Sequence, residues 1–471
     1  MKNNIKRTKI VCTLGPASAT PEILERMINA GLNVARLNFS HGDHEGKRAQ
    51  FEMVRAVSEK MGAHVAVLAD LSGPKLRFGE IGRHELKNGD RVTLYFGKKE
   101  STLEIQFDIA GFVKPGEIIY FNDGLVEGQI ESVGQGGEIE VLVKNDGWID
   151  TKKGINLPQT NIGKNAFTEK DREDLEFAVE MGAEYIALSF VQNVEHVAKA
   201  REIIESKNSP SKIIVKVEKP EAVNKIEEII EASDGIMVAR GDLAIETSAS
   251  QVPLIQQKII NLCRQKQKPV IVATQMLESM IDNPRPTRAE ASDVANAVLS
   301  EVDAVMLSAE SASGKYPVEA VMMMSQIIAE VEDSSEYHRY IKINFEKLSE
   351  KEKRSNSIVS AAASLSYRMS AKAIIIGSVS GRSAQHLSSF RPDIISIVAT
   401  HNQFTARQMS LVWGAYSIVV SPEGDSNDFP RLVSDVAKEA GYVSEGDHVI
   451  AIWGAQIGKS GTTDSIRVLT V

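Results

Sequence analysis

The chain has 471 residues, 42% of them hydrophobic and 25% charged, and a formal net charge of −9. That length exceeds what one hydrophobic core holds and implies roughly two to four domains. The composition excludes a disordered chain, the acidic balance argues against a general nucleic-acid binder, and no apolar run approaches a membrane span.

In chain order, the opening "MKNNIKRTKIVCTLG" runs straight into a β pattern without an apolar leader and cleavage site, so a cytoplasmic setting is expected. Only Cys12 and Cys263 occur, at no metal-type spacing, which disfavours a disulfide framework or a zinc site. Eight short β-branched runs follow at 8–14, 34–39, 65–71, 185–191, 212–218, 235–241, 269–275 and 303–309. Amphipathic helical stretches separate most of them, which is the pattern of a parallel sheet covered by helices. Eight units favour an α/β fold closed into a (β/α)8 TIM barrel. Between the third and fourth runs, "KNGD", "GQGGE" and "KNDG" turns separate alternating runs such as "RVTLYF", the signature of an all-β insertion. After residue 345 a charged stretch leads into a second α/β series. The expected division is a catalytic barrel at 1–73 and 166–344, an inserted β-barrel lid at 74–165, and a C-terminal α/β domain at 345–471 with a mainly parallel sheet.

In such barrels the chemistry sits where strands end. The second strand closes with Arg36, Asn38 and Ser40 on one face, the third with Asp70, the fifth with Lys216 and Glu218, and the seventh with Thr274. The sixth leads to Arg240, Gly241 and Asp242. Singly, each is a polar residue capping a strand; together, at one end of five strands, they form a site. Glu218 and Asp242 are hard oxygen ligands suited to Mg²⁺ or Mn²⁺. Arg36, Arg77 and Lys216 suit a transferring phosphoryl group, whose chemistry asks for positioning and charge neutralisation.

Six motifs in order, "CTLGPAS", "NVARLNFSHG", "IIVKVEKPEAV", "GIMVARGDLAIE", "PVIVATQMLESMIDNPRPTRAEASDVANAV" and "VMLSAESASGKYPVEAV", resemble the pyruvate kinases over essentially the whole chain. The resemblance implies Mg²⁺-dependent phosphoryl transfer from phosphoenolpyruvate to ADP, giving pyruvate and ATP in glycolysis. It implies that Glu218 and Asp242 hold the metal, and that Lys216 stabilises the migrating phosphoryl group and the enolate. Gly241, Asp242 and Thr274 are then the carboxylate seat, with Thr274 also in the proton-delivery chain. Arg36 and Arg77 clamp phosphate oxygens, while Asn38, Arg77 and Lys152 or Lys153 serve the nucleotide. Family members are usually homotetramers, and a second divalent ion is expected to arrive with ADP. A non-catalytic sensor of phosphorylated metabolites on the same scaffold is the alternative; the presence of Glu218, Asp242 and Lys216 favours the enzyme.

Many members need K⁺, held by residues matching Asn38, Ser40, Asp70 and the position of Leu71, and carry Glu after the Gly-Pro and Thr at the Leu71 position. This chain has Lys75 and Leu71 instead, resembling a K⁺-independent group. An ammonium is a compact monovalent cation able to replace K⁺, with Asn38, Ser40 and Asp70 as its expected acceptors. In the C-terminal series, "IIIGSVSGRSAQHL" resembles the family's effector pocket, making Ser378, Ser380, Arg382 and Ser383 candidates for a phosphorylated effector. "GAQIGKSGTT" is expected near that pocket.

Overall fold

The computed structural model describes residues 5–160, 167–334, 350–421, 428–454 and 463–471. The eight β-branched runs form parallel strands at Lys9–Thr13, Val34–Asn38, Ala66–Asp70, Tyr185–Leu188, Lys212–Val217, Gly235–Ala239, Val270–Ala273 and Ala304–Leu307. Each pairs with its neighbour and the eighth returns to the first, closing the barrel. Strand alternation divides the apolar residues: Val11, Leu68, Ile214, Met237 and Ile271 meet inside, while Ile10, Val67, Ile213, Val215 and Val272 pack against the helices.

The N-terminal ends of the strands rest on the C-terminal domain. Leu411 joins the interior cluster, and the buried Tyr185 hydroxyl donates to Gln408 O at 2.6 Å. Beside it, Arg391 is 5% exposed and pairs with Asp303, whose Oδ2 also receives Val270 N at 3.0 Å. Arg391 donates to Glu301 O as well, and its guanidinium stacks over Trp413. Arg391→Ala leaves the Asp303 carboxylate buried without this cation, so about 3–5 kcal/mol of stability should be lost. Urea unfolding followed by tryptophan fluorescence measures it; a loss near zero would mean that water or another donor replaces the guanidinium.

After the third barrel strand the chain enters the inserted β unit. Its six-stranded sheet runs in the order Ile155–Asn156, Ile118–Phe121, Val126–Val133, Ile139–Val143, Arg91–Phe96 and Leu103–Ile105. All pairs are antiparallel except the last. The entry segment joins the two edge strands, Arg77 bridging Gly154 and Phe78 bridging Ile105. A separate pair, His84–Leu86 with Gly147–Ile149, completes the unit, and its core is centred on Phe78, Phe121, Val141 and Ile149.

The C-terminal sheet has the order Ala415–Val419, Ile395–Thr400, Ala373–Gly377, His448–Gly454 and Thr463–Thr470, parallel except for its last strand. The helix Glu350–Arg368 opens this part; residues 335–349 of the charged stretch lie outside the described residues. Cys12 and Cys263 are both free and buried. No helix of the described residues is long and apolar enough to cross a membrane.

Candidate active site

The alternation that fills the barrel with apolar side chains also fills its C-terminal mouth with charge. Val34, Arg36 and Asn38 share the inward face of the second strand, Leu68 and Asp70 that of the third, and Ile214 and Lys216 that of the fifth. Parallel register sets Asn38 beside Asp70. Arg36 Nε contacts Asp70 Oδ2 at 2.6 Å, and its Nη1 donates to Thr13 Oγ1 at 2.7 Å. Lys216 Nζ lies 3.3 Å from Asp70 Oδ1 and 2.9 Å from Glu218 Oε1, and donates to Ser189 Oγ at 2.7 Å.

Asp70 and Glu218 are each 1% exposed. Burial works against the Asp70 carboxylate, but the Lys216 and Arg36 cations outweigh it and hold Asp70 below its ordinary range. Glu218 goes the other way. Burial pushes its carboxyl up, Lys216 opposes this, and the nearby Asp242 charge adds to the rise. Lys216 is also desolvated, yet Asp70 and Glu218 raise its ammonium above the ordinary lysine value. It is a fixed cation.

The other strand ends complete the mouth. Phe190, at φ +55°, donates its backbone N–H to Glu218 Oε2 at 2.7 Å. Thr274 stands at φ +70°, a strained conformation for a β-branched residue. Its Oγ1 accepts from Gly241 N at 2.8 Å, and Arg240 donates to its carbonyl at 2.7 Å while pairing with Asp293. Gly241 and Asp242 lie in the first turn of the helix Arg240–Glu246. His41 is depressed below its ordinary value by burial first and then by the Arg77, Lys47, Arg36 and Lys75 cations, each near enough to act on it. That field suits a polyanion.

Both family models that match the chain describe pyruvate kinases: "Pyruvate kinase, barrel domain" over residues 5–321 and "Pyruvate kinase, alpha/beta domain" over 356–469. The chain belongs to the pyruvate kinase family. It is 39% identical over 477 residues to the pyruvate kinase of Sporosarcina psychrophila and 40% identical over 476 to that of Geobacillus stearothermophilus. Staphylococcus haemolyticus pyruvate kinase is 40% identical over 472 residues. Each alignment covers 98% of this chain and 80% of the relative.

Pyruvate kinases generally use Mg²⁺. Glu218 and Asp242 fit such an ion by donor chemistry: both are carboxylates, and Glu218 Oε1 is buried with no aligned hydrogen-bond donor, only the Lys216 ammonium at 2.9 Å. Among the described residues no group of three or more His, Cys, Asp or Glu is arranged for a metal, so remaining ligands would be water or substrate oxygens.

Several expected partners are arranged differently. Lys75 Nζ lies 3.2 Å from Asp123 Oδ1 in the inserted unit and 3.5 Å from Asp242 Oδ1. Although burial opposes it, these two carboxylates raise its pKa. Its expected acceptors are engaged elsewhere: Asp70 by Arg36 and Lys216, Asn38 Oδ1 by Ser40 N, and Ser40 Oγ by Ser72. Leu71 points outward into the helix-packed core and is 2% exposed. Arg77 donates to Lys152 O at 2.9 Å, Lys152 pairs with Glu80, and Lys153 lies over the Trp148 ring. In the C-terminal sheet, the Ser378–Ser383 turn enters the helix Arg382–Ser389 through Gly381 at φ +73°. Ser383 Oγ meets Thr463 Oγ1 at 2.7 Å and Ser378 N donates to Ala399 O. Ser380 and Arg382 stand in the same turn, while residues 455–462 of "GAQIGKSGTT" lie outside the described residues.

Sequence reading passed over Thr13, Ser189 and Phe190. The signal was available for two of them: Val11–Thr13 and Ala187–Ser189 repeat the inward i, i+2 spacing that singled out Asp70 and Lys216.

Proposed function

We propose that this pyruvate kinase family member transfers the phosphoryl group of phosphoenolpyruvate to ADP, giving pyruvate and ATP in glycolysis. The buried Arg36–Asp70–Lys216–Glu218 array carries the reading, because it fixes two cations and a metal-type carboxylate at one barrel mouth. Arg36 and Arg77 hold the phosphoryl oxygens. Lys216 neutralises charge on the migrating group and on the enolate oxygen left when the P–O bond breaks. Lys216 serves as the fixed counter-charge, and the proton that converts enolate to pyruvate is assigned to a path fed by water. Thr274, whose hydroxyl sits beside Gly241 N, stands at the end of that water-fed path.

Glu218 and Asp242 hold Mg²⁺, or Mn²⁺ in its place. Bound there, the dication draws off negative charge from substrate oxygens. The Gly241 and Asp242 amides, with Thr274, seat the substrate carboxylate. Asn38, Arg77 and Lys152 or Lys153 serve the nucleotide, with the inserted unit acting as a lid over the barrel. Lys75 supplies the monovalent charge that K⁺ supplies elsewhere in the family; its ammonium is held at the mouth, against Asp242. Ser378, Ser380, Arg382 and Ser383 receive a phosphorylated effector in the C-terminal domain. The enzyme is cytoplasmic and homotetrameric.

Initial rates of ADP-dependent pyruvate formation with Mg²⁺, with tetramethylammonium as the sole monovalent cation, test both levels. Full turnover before K⁺ is added is the expected result. Turnover that appears only with K⁺ retires the role of Lys75, and none under either condition retires the reaction.

A further inference from the structure

The helix Arg240–Glu246 is gripped by the inserted lid at both ends. At its start, Lys75 joins Asp242 to Asp123 of the lid. A Cβ on Gly154 would come within 3.0 Å of both Asp123 Oδ1 and Lys75 Cε, so the lid backbone closes directly on this pair. Near the other end, Gly124 of the lid approaches Ile245 so closely that a Cβ there would lie 3.3 Å from Ile245 Cγ1.

At the last residue the contact is buried and polar. Glu246 is 3% exposed and Asn156, in the lid's final strand, is also 3% exposed. Asn156 Nδ2 donates to Glu246 Oε1 at 2.9 Å, and Lys219 Nζ meets Glu246 Oε2 at 2.8 Å. Glu246 is four residues after Asp242, one helical turn away, and Lys219 directly follows Glu218. One carboxylate therefore joins three parts: the helix bearing one metal-type ligand, the residue next to the other, and the lid.

We propose that Glu246 is a positioning residue that yokes Asp242 and Glu218 to each other and, through Asn156, to the seating of the lid. The inference rests on reading Glu218 and Asp242 as the metal site. A seated lid holds the two ligands in register; a lid lifted from Glu246 loosens them, so cation binding and closure are coupled.

The test is Mn²⁺ binding to the full chain without substrate, read by the electron paramagnetic resonance of free Mn²⁺ at pH 8, with trypsin cleavage of the lid measured alongside. Glu218→Gln comes first: unchanged Mn²⁺ binding would overturn the metal-site reading itself. With that site established, Asn156→Asp sets a second carboxylate against Glu246 and should raise the Mn²⁺ Kd about five- to ten-fold and speed lid cleavage. The exchanged pair Asn156→Asp/Glu246→Gln restores one amide and one carboxylate at the contact and should recover most of both losses. A merely structural role predicts changed stability with Mn²⁺ binding like that of the parent protein in both variants. Asn156→Asp binding Mn²⁺ like the parent protein, or an exchanged pair that recovers neither loss, would overturn the yoke alone.

Discussion

Replacing Lys216 by Met is expected to lower kcat by about 10³-fold or more, with a much smaller change in the KM for phosphoenolpyruvate. Methionine keeps the length and most of the volume of the lysine stem, so the barrel interior stays filled. What disappears is the cation held between Asp70, Glu218 and Ser189. Substrate binding retains Arg36, which Asp70 and Thr13 continue to orient. The charge that develops on the enolate oxygen and the moving phosphoryl group loses its fixed counter-charge, so the deficit falls on the transition state. Steady-state kinetics at saturating Mg²⁺ and ADP measure the split. A kcat within about ten-fold of the parent enzyme would remove Lys216 from the chemistry, since one fixed donor in a buried site is worth more than that.

Glu218→Gln should separate stability from function. In the metal-free protein, burial and the neighbouring Asp242 charge raise the Glu218 carboxyl above its ordinary value of 4.5 despite Lys216. An acid with a raised folded pKa binds its proton more tightly when folded, so its contribution to stability is present below the unfolded pKa. That contribution is lost as pH rises through the folded pKa. The neutral amide removes the penalty, and at pH 7.5 the metal-free variant should melt above the parent. The same substitution deletes a metal-type ligand, so Mg²⁺ should no longer raise the melting temperature. Thermal melts in chelator and in Mg²⁺ across pH 5–9 check both halves; a variant that Mg²⁺ protects like the parent would place the ion elsewhere. Asp70 has the opposite sign. Its pKa is depressed by Lys216 and Arg36 against burial, so its contribution is present above the ordinary carboxylate range and is lost as pH falls through the depressed value.

The barrel was legible because its physics is periodic. Eight strands reported themselves by β-branched runs, and the inward i, i+2 spacing put Arg36, Asn38, Asp70 and Lys216 at one mouth without any knowledge of the tertiary structure. Lys75 shows where that reasoning stops. Its position at the entry to the lid was evident, but its partners come from residues 48 and 167 places further on, Asp123 and Asp242. Nothing periodic links them. Asn156 and Glu246 were silent for the same reason: an amide in a two-residue strand and a carboxylate ending a short helix carry no local signature. The strained Thr274 and Phe190 backbones were equally hidden, because a positive φ at a residue other than glycine reflects its surroundings more than its own sequence.

The entry to the lid has one last consequence. Arg77 and Phe78 are at once the connection to the barrel and the pieces that join the lid's two edge strands. Bending there would open the lid's own wall, so on this side rotation is confined to the few residues between the end of the third barrel strand and Arg77. Gly73, at φ +66°, is the backbone position in that stretch freest to turn, yet its N–H is tethered to Asp171 and a side chain there would strike Phe190 and Ser189. The inserted unit is thus braced at its entry, beside the barrel mouth. Lys75 and Arg77 stand within that braced stretch, so any movement of the unit's far rim would displace these two cations least.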